Sequence, residues 1–221
     1  MREDRPIGTT RDPNAAAPLW LRAGFWICMA IAVAVVLRRL FALRHPSTSG
    51  PPQMAALDQV FASHALLTVA HIVPALLFVF LTPFVVFPRF ARLKWPEQML
   101  FPLGLIVGIT AYAMSVDAVG GWIERSAVLF FNSLFLFSLL RAWLYKVRGQ
   151  WFLKRRWLMR AVVVLLGIAT TRPVMGVFFA TSGLTHLTPR QFFGIAFWIG
   201  FSINWIVVEF WLRARKRPAT A

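Results

Sequence analysis

The chain has 221 residues, of which 58% are hydrophobic and only 14% are charged. Its mean hydropathy of +0.65 is typical of an integral membrane protein and excludes a soluble globular domain. The formal net charge of +16 would suit a nucleic-acid-binding protein if the basic residues shared one soluble face, but they fall between apolar stretches, so membrane topology accounts for them better.

Six apolar stretches follow a polar N-terminal segment. We predict an all-α, polytopic membrane protein, with a disordered cytoplasmic tail over residues 1–17, six transmembrane helices in one bundle over 18–212, and a basic cytoplasmic tail over 213–221. A polar, proline-rich connector is expected over residues 41–57. Each span is long enough for a hydrocarbon core of ~30 Å; the spans cover residues 18–40, 58–87, 98–119, 126–147, 157–180 and 190–212.

Lysine and arginine are concentrated in alternate connections. They lie mainly in the N-terminal segment, in 89–94, in 141–160 and at the C-terminus, and such segments stay cytoplasmic. Both termini are therefore predicted inside, with Arg38, Arg39 and Arg44 as exceptions on the outer side. Because arginine greatly outnumbers lysine, as in a GC-rich bacterial genome, we expect the bacterial inner membrane.

The fifth span carries an arginine within its apolar run. Arg172 lies ~20 Å from Trp157 along a helix, a depth at which a charge is costly and is turned toward protein or a water-filled cavity. Pro173 disfavours helical geometry at Arg172 and leaves the carbonyl of Ala169 without its usual donor. The sequence therefore predicts a helix break at this arginine.

The second span carries two histidines on one helix face. His64, Thr68 and His71 are four and three residues apart, and Pro74 should kink the helix just beyond them. His71 either forms a packing hydrogen bond with a neighbouring helix or handles a ligand or proton. A haem held by two histidines is disfavoured, because the intramembrane histidines share a helix.

Polar residues from five spans fall at a similar depth, in the middle-to-outer layer of the predicted bundle. They form either an outward-facing polar cavity that binds a ligand or a hydrogen-bonded plug that only fixes helix packing. We expect His71 and Arg172 to belong to one connected network. The candidate ligand-binding residues are His71, Arg172, Asn204, Tyr112, Asn132 and His64.

The third span carries a stripe of small residues. Gly104 and Gly108 are four apart, and Ala111 and Ser115 continue the stripe. Such a stripe lets two membrane helices approach closely, and packing within the chain is favoured over a homo- or hetero-oligomer interface. The chain has one cysteine, Cys28, and no nucleotide-binding or protease motif, so no metal site is predicted.

From about His64 to Arg213 the chain resembles the bacterial predicted membrane proteins of domain of unknown function 2306. The resemblance depends on His71, on Arg172, on Asn204 followed by Glu209, and on the segment KRRWLMR at 154–160.

The chain departs from the family pattern at two places. That pattern begins the basic segment with histidine and continues with Trp-Met, where this chain has Lys154 and Leu158. It also has a His-Arg-Trp motif where this chain has Lys-Trp-Pro at 94–96. The resemblance implies a membrane fold and supports the choice of residues, but it brings no activity or cofactor.

Three functions are compatible with these features. The first is an inner-membrane protein that binds or passes a small anionic or amphipathic molecule, which Arg172 motivates. The second is a redox or other intramembrane enzyme that uses a quinone or haem near His71, and the third is an accessory subunit of a membrane complex. The sequence identifies neither a ligand nor a cofactor; the expected partner is the lipid bilayer, with no nucleic acid.

Overall fold

The structure is a computed structural model that describes residues 18–44, 59, 61–87, 93–186 and 188–214. Within these ranges the chain is helical and contains no strand. A short 3-10 helix at Ser115–Asp117 ends the third span. The α-helices are α1 (Leu19–Arg44), α2 (Ala65–Val86), α3 (Trp95–Met114), α4 (Gly121–Val147), α5 (Trp151–Leu165), α6 (Gly167–Thr185) and α7 (Pro189–Ala214).

The predicted all-α bundle of six spans is confirmed. Six helical segments are long and apolar enough to cross a membrane, and α5 and α6 together supply one of them, the 34 residues of Trp151–Leu184. Helix α1 extends to Arg44, so the predicted connector begins later than residue 41, and 45–57 lie outside the described residues. The tails predicted at 1–17 and 213–221 also lie outside them, except that 213 and 214 belong to α7.

Successive spans run in alternate directions, so the six crossings return the chain to its starting side. We call the half of the bundle that contains Leu19 and Ala214 the terminal half, and the half that contains Arg44 and Gly121 the opposite half. The tightest neighbours are α4 with α5, α2 with α3, and α6 with α7, whereas α1 packs only lightly, against α2 and α6.

The small-residue stripe of α3 packs inside the chain. The space where Gly104 would carry a side chain is occupied by Leu139, Phe78 and Phe135, and that beside Gly108 by Leu136. The absence of side chains at these two buried positions lets α3 lie close to α4, the packing use that the sequence favoured.

The predicted break at Pro173 is wrong. Helix α6 runs through Arg172 and Pro173, and the fifth span is interrupted at Leu166. The carbonyl of Leu166 accepts the amide hydrogen of Ala169 at 3.0 Å, a tighter turn than that of an α-helix. Proline removes one backbone donor, and membrane helices tolerate this loss when they are packed against neighbours.

Candidate functional site

Arg172 is the membrane-embedded cation with the fewest partners among the residues selected from the sequence. Its Nη1 lies 3.8 Å from Met175 Sδ, a weak acceptor. Its Nε is shielded from solvent and has no hydrogen-bond partner among the described residues. Because a guanidinium carries five N–H donors, most of its donor capacity is not used by the part of the chain that the structure describes.

Two further arginines lie within electrostatic range of Arg172. Arg38 and Arg39 come from the opposite half of α1, and we call them, with Arg172, the arginine cluster. Arg39 also stacks on Phe61, with its guanidinium carbon 3.9 Å from the ring centroid. Glu124 of α4 is the one carboxylate of the described residues that interacts electrostatically with Arg172, against two arginines that do so.

Glu124 is held in place by the backbone. It is 8% exposed, and its Oε2 accepts a hydrogen bond of 2.6 Å from the amide of Gly120. A Cβ on Gly194 of α7 would lie 2.7 Å from the amide nitrogen of Glu124, so this glycine allows the two backbones to approach closely. Sequence reasoning missed Glu124 because the fourth span was started at residue 126, whereas α4 begins at Gly121; an earlier start would have made it an intramembrane carboxylate.

His71 forms a hydrogen bond that joins two helices. Its Nδ1 lies 2.9 Å from Thr110 Oγ1 of α3, and Thr110 donates in turn to the carbonyl of Ile106 at 2.7 Å. This is the packing bond that the sequence analysis considered. His64 is half exposed near the opposite surface, where its Nε2 lies 3.6 Å from Asp117 Oδ2.

Tyr112 and Asn132 connect α3 to α4. The hydroxyl of Tyr112 lies 2.7 Å from Ser133 Oγ, and Nδ2 of Asn132 donates to the carbonyl of Gly108 at 2.9 Å. The close approach at Gly108 brings its carbonyl within reach of Asn132. Both side chains therefore fix the register between these two helices.

Asn204 ends a chain of hydrogen bonds across three spans. Thr170 donates to Asn204 Oδ1 at 2.7 Å, and Asn204 Nδ2 donates to the carbonyl of Val163 at 3.1 Å. Cys28 Sγ of α1 lies 3.7 Å from Thr170 Oγ1. Because the Thr170 hydrogen goes to Asn204, the Cys28 thiol is the donor in this contact.

The polar layer is therefore divided into separate groups. No hydrogen bond joins His71 to Arg172 among the described residues, and α2 and α6 are not close neighbours in the bundle. His71, Tyr112, Asn132 and Asn204 each have a partner on another helix or its backbone. Arg172 alone of the five combines membrane depth with a shielded, unpaired donor.

The basic segment at 154–160 forms ion pairs that the sequence analysis did not predict. Lys154 Nζ lies 2.5 Å from Glu97 Oε2 of α3. Arg160 donates two hydrogen bonds to Glu209 of α7, from Nε at 2.5 Å and from Nη2 at 3.1 Å. Residues predicted only to orient the chain therefore also connect α5 to α3 and α7.

The terminal half contains a cavity of about 280 Å³ between α1, α5, α6 and α7. Asn204 is the one residue of the predicted ligand-binding set that lines it. No group of three or more metal-ligating side chains occurs among the described residues.

Comparison of the chain with protein-family models, with curated proteins and with solved structures finds no match. The resemblance to domain of unknown function 2306 therefore stays a prediction.

Proposed function

We propose that this membrane protein binds or passes a small anionic or amphipathic molecule at the arginine cluster in the opposite half of the bundle. The observation that carries the proposal is Arg172, whose solvent-shielded Nε has no hydrogen-bond partner among the described residues and whose Nη1 contacts only a thioether there. A guanidinium at membrane depth is a functional-site hypothesis by default.

Charge balance supports an anion as the ligand. Arg172 interacts with two further cations and with one carboxylate, Glu124, which already accepts a hydrogen bond from Gly120. Leaving a charge uncompensated away from water costs free energy, and a bound anion would supply that compensation. Carboxylate and phosphate groups fit best, because a guanidinium presents parallel N–H donors that match two oxygens at once.

The distribution of basic residues supports an outward-facing site. Lys146, Lys154, Arg155 and Arg160 all lie toward the terminal half, which the positive-inside rule assigns to the cytoplasm. This distribution supports the proposal that both termini are inside; we further propose that the membrane is the bacterial inner membrane. Reporters fused to residues 1 and 221 should both be cytoplasmic, whereas a reporter at Ser47 should be outside. A cytoplasmic signal from the Ser47 reporter would mean that the site does not face outward.

Anion-dependent thermal stability tests the site. The purified protein is melted in a neutral detergent with increasing inorganic phosphate or acetate, and sodium chloride, which has no pair of oxygens for a guanidinium to bind, keeps the ionic strength constant. A ligand at ~100 times its Kd stabilises the native state by ~2.7 kcal/mol, so the melting temperature should rise and saturate.

The matched variants are Arg172→Gln and Arg148→Gln. Arg172→Gln should abolish the saturable rise, because it removes the guanidinium from the cluster. Arg148, an exposed arginine between α4 and α5, lies in the terminal half, so Arg148→Gln should keep the saturable rise in melting temperature. A wild-type protein that shows no saturable rise, or an equal rise in Arg172→Gln, would overturn the proposal.

A further inference from the structure

The cavity in the terminal half, which we call the lateral cavity, exists because α1 stands away from α5 and α7. Helix α1 packs against α2 and α6, and Ala32 is its one buried residue. Gly24 of α1 lines the cavity, and a Cβ placed there would have no atom within 4 Å. The cavity is therefore unfilled space under a lightly packed helix, and the gap between α1 and α7 faces the surrounding lipid.

Polarity changes from one end of the lateral cavity to the other. At its deep end, Cys28, Thr170 and Asn204 hydrogen-bond to one another, so their polar groups are largely satisfied. The walls between are mainly aliphatic and aromatic. At the rim lies Arg22, which is exposed and has no ion pair or side-chain hydrogen bond in the part of the chain that the structure describes.

The rim lies at the membrane–water interface. Trp20 and Trp211 line the cavity at the same end as Arg22, and tryptophans are enriched at the level of the lipid headgroups. An apolar slot that ends in a cation at headgroup level is complementary to one kind of molecule, an acyl chain that ends in an anionic headgroup.

We infer that the lateral cavity binds one acyl chain of an anionic phospholipid, with the lipid phosphate at Arg22. The volume of about 280 Å³ is just below the range for small-molecule sites, ~300–1,000 Å³, and therefore suits one acyl chain rather than a whole two-chain lipid. This inference is independent of the anion site, because the two sites share no residue and lie in opposite halves.

Native mass spectrometry of the detergent-purified chain tests the inference, with phosphatidylglycerol and phosphatidylcholine as competing probes. The wild type should retain one tightly bound phosphatidylglycerol in preference to phosphatidylcholine. Gly24→Phe should fill the slot without a clash and weaken this one copy by at least ~tenfold, or ~1.4 kcal/mol. Gly24→Leu provides a smaller filling group if the phenylalanine variant does not melt cooperatively.

Two matched controls separate chain binding from nonspecific effects. Gly176 of α6 also has open space around it but does not line the cavity, so Gly176→Phe should retain the lipid. Arg22→Gln should still bind the acyl chain but lose the preference for phosphatidylglycerol, whereas Arg148→Gln should retain both the bound lipid and the headgroup preference.

Three outcomes would overturn the inference. The first is equal retention of phosphatidylglycerol by Gly24→Phe and the wild type, and the second is no headgroup preference in the wild type. The third is a dimer that Gly24→Phe dissociates, which would assign the cavity to a second copy of the chain.

Discussion

The largely buried cations Lys154 and Arg160 in the terminal half have different surroundings from Arg172 in the opposite half. In the terminal half, Arg160 donates two hydrogen bonds to Glu209, and Lys154 pairs with Glu97. In the opposite half, Arg172 contacts the thioether of Met175 and interacts electrostatically with one carboxylate of the described residues, Glu124. The residue type alone therefore does not separate a structural cation from one available to a ligand; the supply of carboxylates on neighbouring helices does.

The largest change in the free energy of unfolding is expected in the terminal half, at the pair of Arg160 and Glu209. Glu209→Gln leaves Arg160 without a counter-charge, and the two side chains are only 12% and 16% exposed. Removing one partner of a largely buried pair costs ~3 kcal/mol, which equilibrium unfolding in mixed detergent would measure. The double variant Arg160→Gln, Glu209→Gln should recover much of the loss. A loss below ~1 kcal/mol, as for a surface pair, would contradict the comparison.

The second effect tests whether backbone packing, rather than charge pairing, holds the opposite half together. A Cβ on Gly200 of α7 would lie 2.7 Å from the backbone nitrogen of Thr171, next to Arg172. Gly200→Ala should therefore separate α6 from α7 and cost ~1–3 kcal/mol of unfolding free energy. Gly176→Ala, where nothing lies within 4 Å, is the control and should be neutral or stabilising. Equal melting temperatures for the two variants would contradict the packing argument.

The third effect concerns Glu124, the carboxylate of the described residues that interacts electrostatically with Arg172. Glu124→Gln removes a negative charge that competes with a bound anion for Arg172, so the affinity for phosphate should rise about threefold. The phosphate-dependent melting assay measures this change. Glu209→Gln, which removes a carboxylate from the terminal half, should leave the affinity unchanged. A lower affinity in Glu124→Gln would mean that this carboxylate positions the site.

The smallest effect is expected for the coupling between His71 and Arg172. His71 is bonded to Thr110, and no bond links it to Arg172 among the described residues. The unfolding free energies of His71→Ala and Arg172→Ala should therefore add in the double variant within ~0.5 kcal/mol. A double variant that loses clearly less than the sum would restore the shared network that the sequence predicts.

The spans could be predicted from the sequence because a run of apolar residues is a local property. The break in the fifth span lies beside a contact with another span, which one segment of sequence does not reveal. Phe201 of α7 occupies the space beside Gly167, and the chain turns at the preceding residue. The sequence predicted the break at Pro173 instead, because proline disfavours helical geometry. The helix continues there because only one backbone hydrogen bond is lost.

The candidate site was predicted in part. Arg172 was found because a charge within an apolar run is visible in one segment, whereas its neighbours Arg38 and Glu124 belong to other helices. The bond between Lys154 and Glu97 joins residues 57 apart in sequence. No spacing rule for a single helix covers such a pair; only the packing of α5 against its neighbours creates it.

The light attachment of α1 has a mechanical consequence. This helix supplies Gly24 to the lateral cavity and Arg38 to the arginine cluster, and its one buried residue, Ala32, lies between them. A helix that is packed most closely near its middle can tilt about that point as a rigid unit. Any tilt of α1 about Ala32 moves its two ends in opposite directions, so a displacement that widens the slot at one membrane surface brings the arginines closer to the bundle at the other.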